Sequence, residues 1–269
     1  MGGTDVLVHM RDKTCTNRYL VDVKQLEGMK RISLDWTGLT LGAAVTMNQL
    51  IASSAVNQAC PLLAQAARTV ASYPLRNRAT VVGNLCNASP AGDTTGACIV
   101  LRGTLHVCGP AGNRRIPLHA LFVGPGRTAL EPGDVATELH FPLPPMGHIA
   151  SYKKLGRNAM GDLAIVGVTV LGHPDTNAVS GARFRLALAS VAPIPLVPQQ
   201  AEAILSDRPL TPATIDAAAE AAMSACSPID DVRATARYRR LMVRNLTRQA
   251  LMEVWEQLSA QAGRRPRSG

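Results

Sequence analysis

The chain has 269 residues, of which 46% are hydrophobic and only 3% aromatic, and its formal net charge is +9. This length allows two domains of ordinary size, each with a core of aliphatic side chains. The positive charge does not indicate nucleic-acid binding, because the arginines cluster near the C-terminus without interleaved aromatic residues that could stack on bases.

The cysteines and the hydropathy pattern exclude two further classes. None of the six cysteines forms a C-x-x-C pair or has the spacing of an iron–sulfur or zinc site, so we predict free thiols in a reducing compartment and no metal in this chain. No signal peptide is visible, and no apolar run reaches the roughly 18 residues of a membrane span. The sequence therefore predicts a cytoplasmic protein with no transmembrane segment.

The first region alternates short strands and helices. Residues 6–11 form a short alternating run, and the β-branched content of 19–23 predicts a strand. Two strands follow around a turn at 36–38, and then one or two helices between 47 and 72, with Pro61 at a plausible helix start. A polar loop, the end of a helix, a strand pair and a last strand complete this region.

The second region begins after Gly/Pro-rich residues near 144–147. Three antiparallel strands are predicted, then two helices, the second with Thr211 as N-cap and Pro212 in its first turn. The pattern predicts domains at 1–146 and 147–259 and a disordered basic tail at 260–269. The last helix has an apolar stripe, most simply explained as core packing, with an assembly surface as the alternative: Tyr238, Leu241, Met242, Leu246, Ala250, Val254 and Leu258.

Two segments have the composition of an anion-binding loop. Residues 75–93, LRNRATVVGNLCNASPAGD, place glycine, asparagine and serine after a β-branched run, and residues 2–5 are Gly-Gly-Thr-Asp. Glycines allow backbone N–H groups to approach an anion closely, and hydroxyl and amide side chains add donors. Gly-Gly-Thr-Asp alone would be interpreted as an ordinary turn. Its interpretation as an anion-binding loop depends on the presence of the second segment.

Both segments resemble the flavin-binding loops of the FAD-binding subunits of molybdenum hydroxylases. MGGTDVLVHM is similar to the first loop of that family, and TVVGNLCNASPAGD, preceded by Arg76 and Asn77, is similar to the second. Residues 152–164 and 231–251 resemble two later motifs, so the resemblance covers nearly the whole chain. It implies an α+β fold: an FAD-binding domain of two α/β subdomains, like that of vanillyl-alcohol oxidase, and a C-terminal domain with a three-stranded antiparallel sheet and helices.

The resemblance implies FAD contacts for fifteen residues. The first loop would wrap the pyrophosphate, the second would line the diphosphate and ribityl region, and Asp93 would accept from a ribose hydroxyl or a loop backbone. Thr137 would touch the flavin ring, and Lys153 would lie near it and stabilise the anionic reduced form. The set is Met1, Gly2, Gly3, Thr4, Asp5, Val70, Thr80, Val81, Val82, Gly83, Asn84, Asn87, Asp93, Thr137 and Lys153.

Two of these assignments have a simpler alternative, and two features depart from the family. Asp93 would also serve as a helix N-cap, and Lys153 as a solvated strand end.

Val82 stands where the family has a glycine, which implies a negative φ or a reshaped loop. The family has about 30 residues before its first loop; their absence here would mean a truncated chain, a partner that fills the gap, or weaker flavin binding.

The resemblance also implies partners and a function. A large subunit would hold molybdenum–pterin and oxidise substrate, and a small subunit would hold two [2Fe–2S] clusters, in a heterotrimer or a dimer of heterotrimers. This chain would take electrons from those clusters and pass them to an external acceptor. The alternatives are a standalone flavin-dependent oxidoreductase and a flavin-free assembly subunit of the same complex.

Overall fold

The computed structural model describes residues 2–14, 19–158 and 161–263. Met1 and residues 264–269, which include most of the predicted basic tail, lie outside the described residues.

The first half of the chain is built around a five-stranded antiparallel sheet, in the spatial order β1-β2-β7-β3-β4. Gly38 starts β2 at φ +140°, where a Cβ would collide with the carbonyl of Phe141 on the neighbouring strand, so only glycine fits. A two-stranded ribbon, β5 and β6, lies apart from the sheet. The strands are β1 Ile32–Asp35, β2 Gly38–Gly42, β3 Thr104–Gly109, β4 Gly112–Pro117, β5 Phe122–Gly124, β6 Arg127–Thr128 and β7 Val135–Phe141.

Seven short helices belong to the same half. Thr46 and Gln49 form a reciprocal capping box at the start of α2, and Pro61 stands at the first turn of α4, as predicted. The segment 47–68 divides into three helices where one or two were predicted. The helices are α1 Val6–Arg11, α2 Met47–Ala52, α3 Ser54–Ala59, α4 Pro61–Arg68, α5 Tyr73–Arg76, α6 Val81–Asn87 and α7 Asp93–Val100; a 3-10 turn covers Leu118–Ala120.

The second half contains the predicted three-stranded antiparallel sheet, in the order β10-β9-β8, covered by helices. Thr211 caps α9 by accepting a hydrogen bond from the N–H of Thr214, and Pro212 follows it, as the sequence predicts. The predicted boundary at 146/147 falls between β7 and β8 and stays a prediction. The elements are β8 Ile149–Leu155, β9 Val166–Pro174, β10 Ala182–Ala189, α8 Gln199–Asp207, α9 Pro212–Ser224 and α10 Ala236–Gly263.

The two halves each have a hydrophobic core, and α7 joins them. The first core contains the buried face of α7 and also Tyr152, Leu171 and Ala187 from the second sheet. A Cβ on Gly96 of α7 would collide with the Thr169 hydroxyl, so α7 packs closely on the second sheet because this position is glycine. The beginning of α7 therefore lies where both halves can contribute side chains.

Three local predictions near the N-terminus and at 75–93 were wrong. The alternating run at 6–11 is helix α1, whose first turn forms when Leu7 and His9 donate to the carbonyls of Gly3 and Asp5. Residues 19–23 form no strand, because their apolar side chains are largely exposed and no described strand pairs with them. Residues 81–87, expected as a loop, form helix α6.

Helix α6 forms because Thr80 caps it and one face is apolar. The Thr80 side chain accepts a hydrogen bond from the N–H of Gly83 at 2.9 Å, and Val81, Val82 and Leu85 are buried. Val82 therefore has a helical backbone with negative φ, one of the two outcomes expected for that position. Valine, glycine and asparagine are weak helix formers, so the local sequence does not predict this helix.

The stripe predicted on the last helix packs on the second core from Met242 onward, and Met242 and Leu246 are partly buried against that core. Ala250, Val254 and Leu258 are buried, whereas Tyr238 and Leu241 are partly exposed. In the first turns of the helix, the buried positions are Arg239, Val243 and Thr247. Two of these side chains are polar, so a pattern of apolar residues does not reveal this face. The helix continues to Gly263, so residues 260–263 of the predicted tail are helical.

Candidate functional site

A cavity of about 590 Å³ lies beside the start of α7. Its size falls within the roughly 300–1,000 Å³ typical of small-molecule pockets. Segments distant in sequence meet there: the N-terminal residues, α6, the start of α7 and residues 161–163. Ten of the predicted site residues line it: Gly2, Gly3, Thr4, Asp5, Val70, Thr80, Gly83, Asn84, Asn87 and Asp93.

The N-terminal wall is backbone-rich. Gly2 lies so close to the chain at 78–79 that a Cβ would collide with the carbonyl of Arg78, and Gly3 has φ +79°. The N–H groups of Gly3, Thr4 and Asp5 donate to no acceptor among the described residues. Free N–H groups beside glycine are suited to binding an anion.

Helix α6 forms the opposite wall and contacts the N-terminal segment. Nδ2 of Asn87 donates to Oδ1 of Asp5 at 3.4 Å, across 82 residues of sequence. Oδ1 of Asn84 accepts from the hydroxyl of Thr94 at 2.7 Å, which ties α6 to α7. The two polar segments identified from sequence are therefore in contact in the fold.

Asp93 occupies the first position of α7, with Gly92 as the N-cap, so the N-cap alternative for Asp93 is wrong by one residue. Its carboxylate is held by the second half of the chain: Tyr152 donates its hydroxyl to Oδ1 at 2.8 Å, and Lys154 donates to Oδ2 at 2.7 Å. Lys154 also donates to the carbonyl of Thr69 at 2.9 Å. Both halves of the chain thus build this side of the cavity.

Burial controls the ionisation of these groups. Burial raises the pKa of Asp93, and the neighbouring Lys154 and Tyr152 pull it back down. Burial and then the Asp93 carboxylate raise the pKa of Tyr152 well above its usual value, so its hydroxyl stays a donor at neutral pH. Burial also raises the pKa of Cys86, which lines the cavity, to about 11.

Comparison with known proteins identifies the family. Residues 1–144 match the family described as the FAD binding domain in molybdopterin dehydrogenase, and residues 150–254 match the CO dehydrogenase flavoprotein C-terminal domain. The chain belongs to the FAD-binding subunits of the molybdenum hydroxylases. This confirms the predicted family, and with it FAD as the cofactor of the domain.

Relatives of this flavoprotein subunit match along nearly its whole length. It is 31% identical to the xanthine dehydrogenase FAD-binding subunit of Escherichia coli O157:H7, over 94% of this chain and 86% of the relative. Identity is also 31% to the carbon monoxide dehydrogenase medium chain of Hydrogenophaga pseudoflava, over 94% and 88%.

A solved structure of carbon monoxide dehydrogenase from Hydrogenophaga pseudoflava has a TM-score of 0.90 to this chain at 32% identity. The alignment covers 95% of this chain and 88% of that one. The similarity confirms the predicted fold class and the oxidoreductase flavoprotein assignment.

The other predicted residues of this flavoprotein subunit that the structure describes do not line the cavity. Val81 and Val82 are buried in the first core. Thr137 lies on β7 beside a second surface cavity and donates to the carbonyl of His106. Lys153 forms an ion pair with Glu253. Met1 lies outside the described residues.

The sequence interpretation missed Lys154 and Tyr152. Because side chains alternate along a strand, Tyr152 and Lys154 share one face of β8 while Lys153 lies on the other. Asp162, which belongs to the motif at 152–164, also lines the cavity and pairs with Arg157 at 3.2 Å. The period-2 rule applied to residues 152–154 separates the two lysines onto opposite faces, and the structure places Lys154 on Asp93.

Within the described ranges, no group of three or more His, Cys, Asp and Glu side chains could hold a metal ion. None of the helices described is both long and apolar enough to cross a membrane. The cytoplasmic location stays a prediction.

Proposed function

We propose that this chain holds FAD in the 590 Å³ cavity, takes electrons from [2Fe–2S] clusters of a small partner subunit and passes them to an external acceptor. A large molybdenum–pterin subunit would oxidise the substrate. The observation that carries this proposal is that residues 2–5 and residues 80–93 line the same cavity. Each segment has the hydrogen-bond donors of an anion site, and neither segment would enclose a dinucleotide alone.

The residues present fit FAD. The cofactor's diphosphate is an anion that needs donors, and the N–H groups of Gly3, Thr4 and Asp5 supply them. Gly92 leaves room for the side chain of Asn84, because a Cβ there would lie 3.3 Å from Oδ1 of Asn84. Bound FAD supplies the electron-carrying chemistry, and the protein supplies binding, orientation and electrostatics.

The charged groups of the cavity suit a cofactor holder. The ammonium of Lys154 neutralises Asp93, and the guanidinium of Arg157 neutralises Asp162. Two carboxylates on the cavity wall therefore repel an anionic dinucleotide far less than unpaired ones would. Their engagement in ion pairs also argues against a role for these two carboxylates as a free general base.

The visible spectrum of the assembled complex tests this proposal. Oxidised-flavin bands that bleach when substrate is added anaerobically, and only when the iron–sulfur subunit is present, are expected. A complex without flavin bands would contradict the proposal and favour the assembly-subunit alternative. Substrate turnover by the isolated chain would favour the standalone oxidoreductase.

Cavity variants connect the flavin to this site. Gly83→Val and Asn84→Ala are expected to lower flavin content, since a Cβ on Gly83 would already lie 2.9 Å from the Thr80 hydroxyl. Asn177→Ala, at an exposed position in the β9–β10 connection, is the matched control. Unchanged flavin occupancy in the cavity variants would refute the assignment of this cavity.

A further inference from the structure

Thr94 and Asn84 form a hydrogen-bonded pair between two helices. Asn84 lines the cavity from α6, and Thr94 lies behind it on α7 with none of its surface exposed. The two side-chain oxygens are 2.7 Å apart. This is the only side-chain hydrogen bond that either residue makes within the described part of the chain.

The structure turns the carbonyl oxygen of the Asn84 amide toward Thr94. The hydroxyl of Thr94 donates and Oδ1 of Asn84 accepts, at a separation of 2.7 Å that is typical of O–H···O bonds. The Nδ2 group of Asn84 is left with no acceptor among the described residues and remains available to a molecule in the cavity.

We propose that Thr94 is a positioning residue that fixes Asn84 as a hydrogen-bond donor toward an acceptor atom of the bound flavin dinucleotide; this inference rests on the proposed function. Without the Thr94 hydroxyl, the amide of Asn84 is free to rotate and present its oxygen to the same acceptor. Two acceptors facing each other repel, so the orientation decides whether Asn84 favours or opposes binding.

The neighbouring threonine provides a matched control. Thr95 is the next residue of α7 and is 1% exposed, but its hydroxyl has no hydrogen-bond partner among the described residues. Thr94→Val and Thr95→Val each replace a buried hydroxyl with a methyl group of similar size. A purely structural role for buried threonines in α7 predicts similar effects of the two changes; positioning of Asn84 predicts an effect of Thr94→Val alone.

The test is titration of the full-length chain with FAD, followed by flavin fluorescence, with thermal melting of each variant. Thr94→Val is expected to weaken FAD binding about tenfold, the cost of one lost or reversed hydrogen bond. Thr94→Ser, which keeps the hydroxyl, is expected to restore wild-type affinity, and Thr95→Val to leave it unchanged.

A double-mutant cycle separates a direct effect from one through Asn84. In an Asn84→Ala background, Thr94→Val is expected to have no further effect on FAD affinity, because the group that it positions is gone. Equal losses in Thr94→Val and Thr95→Val, or a full tenfold loss that persists in the Asn84→Ala background, would overturn the inference while wild-type FAD binding still supported the proposed function. A wild-type chain that takes up no FAD would overturn both.

Discussion

The ammonium of Lys154 lies 2.7 Å from Oδ2 of Asp93, and this ion pair joins the second half of the chain to the wall of the cavity in the first. Both side chains are almost fully buried, with 11% and 9% of their surfaces exposed. A buried carboxylate is tolerated only when it is paired and hydrogen-bonded, so the shape and charge of the cavity depend on how the second sheet packs.

Replacing Lys154 with methionine is expected to destabilise the fold by about 3 kcal/mol, because it leaves Asp93 buried without its cation. FAD affinity is expected to fall as well, since the ion pair that holds this side of the cavity wall is lost. Lys153→Met is the comparison: its ion pair with Glu253 is more exposed, so a loss under about 1 kcal/mol is expected. Chemical denaturation and FAD titration measure both, and a larger loss of FAD affinity in Lys153→Met would instead support the assignment made from sequence.

Gly2→Ala is expected to lower FAD affinity with little change in melting temperature. A Cβ at this position would collide with the carbonyl of Arg78, so the N-terminal wall must move away from α6. The wall contributes little to either core, so unfolding is barely affected. Gly124→Ala is the control, since a Cβ there meets only ordinary contacts with Arg127 at 3.8 Å or more. Equal FAD affinity in the two variants would contradict this role for Gly2.

Asp162 is expected to give a pH-dependent contribution at the cavity rim. Hydrogen bonds from the Arg157 side chain and backbone lower the pKa of Asp162 from 3.8 to about 2. A lowered folded-state pKa stabilises the fold above the unfolded pKa, and this contribution is lost as the pH falls through the folded one. The difference in melting temperature between wild type and Asp162→Asn should therefore be constant above about pH 5 and shrink between about pH 4 and pH 2. A difference that grows on acidification would contradict the assignment.

The cysteines are expected to differ in alkylation. Burial raises the pKa of Cys86 to about 11, so almost none of it is thiolate at neutral pH, whereas Cys108 is exposed. Iodoacetamide followed by peptide mass spectrometry should show rapid modification of Cys108 and slow modification of Cys86. Because Cys86 lines the cavity, FAD should slow its modification further and leave Cys108 unaffected. Protection of Cys108 instead of Cys86 would place the cofactor elsewhere.

Arg239 is expected to be essential for the stability of the second half. Its side chain is 4% exposed, and its guanidinium donates to Asp231 at 2.7 Å and to the carbonyls of Ile165 and Ser190 at 2.6 and 3.2 Å. Arg239→Met leaves these acceptors unpaired, and a loss of about 3 kcal/mol is expected in urea unfolding. Arg233→Met removes a more exposed partner of the same Asp231 and should cost under about 1 kcal/mol. Equal losses would show that the buried position is unimportant.

Local sequence determined much of this protein. The turn at Gly38, the start of α4 at Pro61 and the cap of α9 at Thr211 follow from side-chain and backbone chemistry within a few residues. The glycines and polar side chains of 2–5 and 80–93, together with their resemblance to a known family, indicated two of the segments that line the cavity. These features are encoded locally because each depends on the geometry of neighbouring residues.

Only the tertiary structure decided the features that depend on contacts distant in sequence. Helix α6 forms against weak local propensity because its apolar face is buried in the first core. Residues 19–23 have strand composition but no partner strand within the described residues. The packing of β8 places Lys154 instead of Lys153 on Asp93, and that of α6 on α7 places Thr94 on Asn84. Such pairings depend on which surfaces become buried together. A shift of one residue along a strand moves a side chain to the opposite face of the sheet.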